Sequence, residues 1–230
     1  MQRTKIEYLT HVWNPIHGCG RGCNYCWATR MARRLAAMGM RGYDAADPMK
    51  PTVHWERLGE PDRLVKPARI GVGFMGDLFD PQFGDSDIQT VIDTCANAPR
   101  HQSLFLTKCP ARLRDFNPWP SNCWVGVTAT DDHTFVEALK QLARVEAAIR
   151  YISVEPMLAP IYWWNMWDAV SWIIIGGQTG PNRPPPGDWV ERLVGYARNQ
   201  GVPLFVKRNC RFEPLIQQFP AVGRSEISRR

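Results

Sequence analysis

Short β-branched and apolar runs alternate with longer helical patterns along most of this chain, and that alternation constrains the fold more than any other feature. Arg69 to Met75 (RIGVGFM) reads as a buried strand, and Ser86 to Ala98 follows as a helix with Ile88, Val91, Ile92 and Cys95 on one face. Ser103 to Thr107 is the next strand, with a short helix after Pro110. Trp124 to Thr128 is another, and Asp131 or Asp132 caps a helix running to about Ala148. Strands recur at Tyr151 to Val154, Trp172 to Ile175 and Val202 to Val206, with a helix from about Trp189 to Asn199 before the last. Strands separated by helices pair in parallel through right-handed crossovers. About six such units predict an α/β fold, a partial (β/α)6 TIM-type barrel, with an open doubly wound sheet as the competing architecture.

In either architecture, functional residues collect just beyond the C-terminal ends of the strands. Those ends read Gly76-Asp77, Lys108-Cys109-Pro110, Thr128-Ala129-Thr130, Glu155-Pro156, Gly176-Gly177-Gln178 and Lys207-Arg208. The length of 230 residues suits a single domain over 1–230, in which residues 42–68 lack periodicity and read as an insertion over one face. Hydrophobic residues at 44% and charged residues at 22% suggest neither disorder nor a fibrous class. The first residues are polar, unlike a signal peptide, and the longest apolar stretch, Trp172 to Ile175, is too short for a bilayer. A cytoplasmic protein with no membrane partner is expected, in the host cytoplasm if the chain is phage-encoded. A net charge of +6 leans toward anionic partners, nucleic acid or nucleotide.

Three of the seven cysteines fall in Cys19-Gly20-Arg21-Gly22-Cys23-Asn24-Tyr25-Cys26, which is a poor pattern for a disulfide framework. Three thiolates on a loop that two glycines let curl can reach three corners of one iron–sulfur cube and leave its fourth iron open. A zinc site is the alternative and needs a fourth ligand, for which His11 or His17 is available.

The pattern C-x-x-x-C-x-aromatic-C, with Tyr25 as the aromatic, after a first strand and before a helix, resembles the signature of the radical S-adenosylmethionine superfamily. The chain more narrowly resembles an uncharacterised phage-associated family within it, through VWNPIHGC (12–19), GCNYCWA (22–28), MGDLFD (75–80), LTKCPARL (106–113), WVGVTAT (124–130), SVEPML (153–158), IIGGQTGPNRP (174–184) and PLFVKR (203–208). The resemblance implies a [4Fe-4S] cluster on Cys19, Cys23 and Cys26, with S-adenosylmethionine on the open iron, cleaved by one electron to a 5′-deoxyadenosyl radical. It implies a reductase or flavodoxin-type electron donor. Gly76 and Asp77 are then candidates for the methionine amino group, and Thr128 and Thr130 for the ribose. Gly176 and Gly177 would leave room for a ligand's close approach. Tyr25, Lys108, Glu155 and Gln178 complete the cofactor candidates, with Lys207 and Arg208 for an anionic part of the substrate. Two positions depart from the family: Gln178 stands where Glu is expected, and Cys109 where Arg is expected. The substrate class to which these features lean is a nucleic-acid base, as in phage DNA modification. A cluster-bearing relative that no longer cleaves the cofactor is a further alternative.

Other features have structural readings beside functional ones. Arg30, Arg33, Arg34 and Arg41 form either a solvated basic face or a contact to a phosphate backbone. Trp163, Trp164 and Trp167 lie at near-helical spacing and read as core before base-stacking platform. Cys95, Cys123 and Cys210 read as packing residues.

Overall fold

The computed structural model describes residues 1–162 and 167–221. Its strands are β1 (Gln2–Arg3), β2 (His11–Trp13), β3 (Ile16–His17), β4 (Thr52–Val53), β5 (Arg69–Val72), β6 (Gln102–Thr107), β7 (Cys123–Ala129), β8 (Ile149–Val154), β9 (Trp172–Ile175) and β10 (Leu204–Val206). The α-helices are α1 (Trp27–Ala37), α2 (Glu60–Arg63), α3 (Asp85–Ala96), α4 (Asp132–Leu142) and α5 (Gly187–Asn199). An 8-stranded sheet runs β1-β2-β5-β6-β7-β8-β9-β10, and β3 pairs with β4 in a separate 2-stranded one. From β2 to β10 every neighbouring pair in the large sheet is parallel and follows chain order, as successive βα units require; β1 alone is antiparallel.

The mixed α/β fold with a largely parallel sheet agrees with the alternation in the sequence. Two boundaries differ. The strand expected over Arg69 to Met75 stops at Val72, because Gly73 turns the chain at a φ of +70°. The helix expected to reach about Ala148 ends at Leu142. Its start is well specified, since Asp131 accepts from the Thr134 N–H at 2.8 Å and the Thr134 hydroxyl accepts from the Asp131 N–H at 3.2 Å.

Strand alternation sorts the core into two faces. On one face Val125, Val127, Ile152, Val154, Ile173 and Ile175 pack with Ile88, Phe135, Leu139 and Leu193 of the helices, in the same cluster as Cys95, Cys123 and Cys210. On the other, Val12, Leu104, Trp124, Tyr151, Trp172, Ile174 and Phe205 form a second cluster with Tyr8. Tyr8, from the segment between β1 and β2, meets the rings of Trp172 and Phe205 edge-on at 5.8 Å each. Glu7 accepts from the Arg208 N–H at 3.0 Å, just after β10. The two ends of the sheet therefore approach one another, although among the described residues no strand pairing joins β10 to β1 or β2.

Residues 42–68 are tied to the rest of the chain by several contacts. Strand β4 pairs with β3, the Trp13 indole donates to the Arg57 carbonyl at 2.9 Å, and His54 is buried. Trp163 and Trp164, expected in the core, lie outside the described residues. No helix among the described residues is long and apolar enough to cross a membrane.

Gly126 on β7 tests the packing inside the curve. A Cβ there would lie 2.2–2.5 Å from the ring of Tyr151, which is fully buried and donates its hydroxyl to the Phe105 carbonyl at 2.8 Å. Gly126→Ala is expected to destabilise by about 1–3 kcal/mol. Thermal denaturation reads this as a loss of roughly 2–4 °C per kcal/mol.

Candidate active site

A cavity of about 1000 Å³ opens at the C-terminal ends of the parallel strands, and Cys19, Cys23 and Cys26 stand together in its wall. The cysteine loop follows β3, whose end is tied by backbone to the loop after β5: the Gly18 N–H donates to the Met75 carbonyl at 3.2 Å and the Asp77 N–H to the Gly18 carbonyl at 3.2 Å. On its other side the Cys19 N–H donates to the Met49 carbonyl at 3.1 Å. Asp80 then accepts from the Gly20 N–H at 2.8 Å, and the Cys26 N–H closes a turn on the Cys23 carbonyl at 3.1 Å just before α1. Arg112 steadies the loop carrying Asp80 by donating to the carbonyls of Asp80 at 2.8 Å and Phe83 at 3.1 Å.

Gly76 packs against the start of the cysteine loop. A Cβ at Gly76 would lie 2.3 Å from the Gly18 carbonyl oxygen, so the missing side chain makes way for the cysteine loop; the residue also borders the cavity. Asp77 borders the cavity too, but its carboxylate is engaged by the Thr107 hydroxyl at 2.6 Å, the Lys108 N–H at 2.8 Å and the Phe79 N–H at 3.1 Å. Its remaining capacity to receive an amino group is small.

Tyr25, Lys108, Thr128, Glu155, Gln178 and Lys207 all line the cavity, as the sequence predicted. Lys108 holds its ammonium 6.0 Å from the centre of the Tyr25 ring, and Lys207 is ion-paired with Glu155. Four candidates do not reach the cavity wall. Thr130 donates its hydroxyl to Asp131 at 3.0 Å within the cap of α4. Arg208 is 72% exposed and pairs with Glu7 at 3.7 Å. The space at Gly176 is taken by Glu155, whose carboxyl carbon would sit 2.7 Å from a Cβ there. Gly177 is clamped by Asn209, with its N–H donating to Asn209 Oδ1 and its carbonyl accepting from Asn209 Nδ2, both at 3.0 Å. The close neighbours of both glycines are protein atoms.

Four residues carry roles that the strand-end reading missed. Ser153 on β8 lines the cavity and is fully buried, and its hydroxyl has no partner among the described residues. Asp80 holds the cysteine loop. Arg21, inside that loop, donates to the Lys108 carbonyl at 2.8 Å and reaches Cys109 Sγ at 3.7 Å. His54 is hydrogen-bonded to His17 at 2.8 Å, and Tyr43 stacks on His17 with ring centres 4.0 Å apart. Burial, then the proximity of His54 and Arg57, holds the His17 imidazole down at about 4, so it is neutral at pH 7. The sheet period marks Ser153, two residues after inward-facing Tyr151; the others depend on pairings distant in sequence.

Burial, aided by Cys23, raises the Tyr25 phenol well above its usual range. Burial pushes the Cys19 thiol up as well, opposed by a backbone hydrogen bond from Arg21. The three thiols share a wall, yet among the described residues no three His, Cys, Asp or Glu side chains are gathered into a metal-binding group.

A family model described as "Protein of unknown function (DUF5131)" matches residues 3–225. The chain belongs to that family. Neither the curated proteins nor the solved structures contain a match. The match covers the cysteine loop and all of the cavity wall except Met1 and Gln2.

Gly76→Ala and Asp80→Ala are both expected to loosen the cysteine loop, the first through a backbone clash, the second by freeing the Gly20 N–H. Limited trypsin digestion followed by mass spectrometry should show faster cleavage after Arg21 in both variants. An unchanged rate would mean the loop does not depend on these anchors.

Burial pushes the Cys109 thiol up to about 11 and the Cys210 thiol up to about 12, from an ordinary value of 9.0. Above pH 9 the unfolded chain releases these protons while the folded chain retains them, so stability should fall as pH rises from about 9 toward 11. Urea unfolding across that window is expected to show a falling midpoint, with a shallower fall in Cys109→Ser.

Proposed function

We propose that this chain is a radical S-adenosylmethionine enzyme of the cytoplasm, built on a partial (β/α)6 barrel and reduced by a flavodoxin-type or reductase donor. The observation that carries the reading is the presence of Cys19, Cys23 and Cys26 in one cavity wall at the C-terminal ends of parallel strands. The approach of Tyr8 and Glu7 to β9 and β10 supports a curved, barrel-like sheet.

The donor set fits a [4Fe-4S] cluster better than zinc. Thiols are the usual ligands of such clusters, and three of them leave one iron free. Zinc requires a fourth side chain, and neither of the two imidazoles near in sequence stands in the cavity wall with the thiols. His11 bonds Thr10 at 3.0 Å and His17 bonds His54 at 2.8 Å. When bound, the cluster supplies the electron that cleaves S-adenosylmethionine to methionine and a 5′-deoxyadenosyl radical.

The chain's own residues hold, orient and enclose. Asp80 and the Gly18–Gly76 contact fix the loop that bears the thiols. Deeper in, the Thr128 and Ser153 hydroxyls are available to a ligand's polar groups, and that of Ser153 is unpaired inside the protein. Glu155 and Lys207 neutralise one another there, so this part of the wall offers a dipole with a proton held at Lys207 Nζ. A substrate in nucleic-acid base modification suits the basic charge of the chain.

Anaerobic reconstitution with iron and sulfide should give a brown protein with about four irons per chain. Reduction with dithionite in the presence of S-adenosylmethionine is then expected to release 5′-deoxyadenosine, and Cys23→Ala should abolish it. A loaded cluster whose electron paramagnetic resonance signal ignores S-adenosylmethionine, or a colourless protein carrying one zinc, would overturn the proposal.

A further inference from the structure

We infer that the cavity binds a nucleotide through its phosphate, with Lys108 as the contact on one wall and Arg3 and Lys5 of the N-terminal segment adding to the positive field that draws it in. The carboxylates and cations of the wall differ in how they are engaged. All three carboxylates in it have partners: Asp77 accepts three hydrogen bonds, Glu155 is paired with Lys207, and Glu60 is paired with the Met1 amino group. Arg21 and Arg57 are also engaged, donating to the carbonyls of Lys108 at 2.8 Å and Asn14 at 3.2 Å. Arg3, Lys5 and Lys108 also line the cavity, and among the described residues their side chains make no hydrogen bond or ion pair.

Arg3, Lys5 and Lys108 outnumber Asp77, the one carboxylate of the wall whose hydrogen-bond donors are all uncharged, and this surplus raises the local concentration of anions. A phosphate monoester matches them better than a carboxylate, because it carries nearly two charges and accepts hydrogen bonds on three oxygens. The same cavity presents aromatic surface for a base: Tyr25, Trp27, which is 39% exposed, and Phe74. Lys108 lies 6.0 Å from the Tyr25 ring, so a cation for phosphate and an aromatic face stand side by side.

What is done to the nucleotide rests on the enzyme reading above; its binding needs no cluster. The test is titration of the full chain as purified, by calorimetry and tryptophan fluorescence, with the four deoxynucleoside 5′-monophosphates, the matching nucleosides, and a single-stranded DNA of about ten nucleotides. Monophosphates should bind about tenfold or more tightly than nucleosides, with Lys108→Ala and the double variant Arg3→Ala/Lys5→Ala each weakening them about tenfold, and Lys108→Arg retaining affinity. A strand that binds more tightly than any monophosphate, with affinity falling steeply as salt rises, supports the inference with nucleic acid as the source of the phosphate. Equal affinities support it with the free nucleotide as the source. Nucleosides binding as well as nucleotides, or unchanged affinity in the exposed Arg3→Ala/Lys5→Ala variant, overturns it. A chain that selects nucleotides but forms no 5′-deoxyadenosine keeps this site and loses the enzyme reading; the reverse result loses this site alone.

Discussion

The rest of the site depends on a contact between two backbones. Gly18 and Gly76 form a parallel bridge in which neither residue has room for a side chain: a Cβ on Gly76 would lie 2.3 Å from the Gly18 oxygen, and one on Gly18 would lie 2.4 Å from the Met49 oxygen. Gly18 also adopts a φ of +90°, which other residues rarely take. Three stretches far apart in sequence, around residues 18, 49 and 76, thus meet where the cysteine loop begins. The loop needs this anchorage because it has little core of its own; Gly20, Arg21, Gly22 and Asn24 are all exposed. Its shape is borrowed from the two segments that clasp it.

The loop after β5 serves the cavity from two sides. Asp80 fixes the cysteine loop, while Asp77, three residues earlier, fixes the end of β6 through Thr107 and Lys108. Arg21 closes the circuit by reaching from the cysteine loop back to the Lys108 carbonyl. Lys108 is therefore located by its backbone on both sides while its ammonium stays unpaired, an arrangement that positions a charge without neutralising it. At the far side the opposite holds, since Glu155 and Lys207 are only 18% and 12% exposed and satisfy each other. The wall accordingly divides into an inner part where the charges pair and a remainder in which cations outnumber carboxylates.

Much of this was legible in the residues. Short continuous apolar runs located β5 to β10 to within a few residues, because a strand covered on both faces must be apolar throughout. The rule that chemistry gathers beyond strand ends placed Lys108, Thr128, Glu155, Gln178 and Lys207 on the cavity. It failed at Thr130 and Arg208 for a simple reason: one or two residues past a strand the alternation lapses, and local hydrogen bonds, a helix cap for Thr130 and Glu7 for Arg208, decide the direction. The glycines show a different limit. A glycine signals that something comes close without saying what, and at 76, 176 and 177 the close neighbour is the protein itself.

The pairings that the sequence concealed share one property, which is separation along the chain. His17 and His54 are 37 residues apart, Gly20 and Asp80 are 60 apart, and Arg208 and Glu7 are 201 apart. No periodicity couples such positions, so only the folded chain identifies them. The His17–His54 pair illustrates the consequence. Read in line, His17 stands beside the cysteines as a metal-ligand candidate, yet it lies outside the cavity wall and its Nδ1 is committed to His54. The pair joins the 42–68 segment to the strand that launches the cysteine loop, and its chemistry is that of a hydrogen-bonded core contact. The three thiols of the loop share the cavity wall with cations that no carboxylate among the described residues engages.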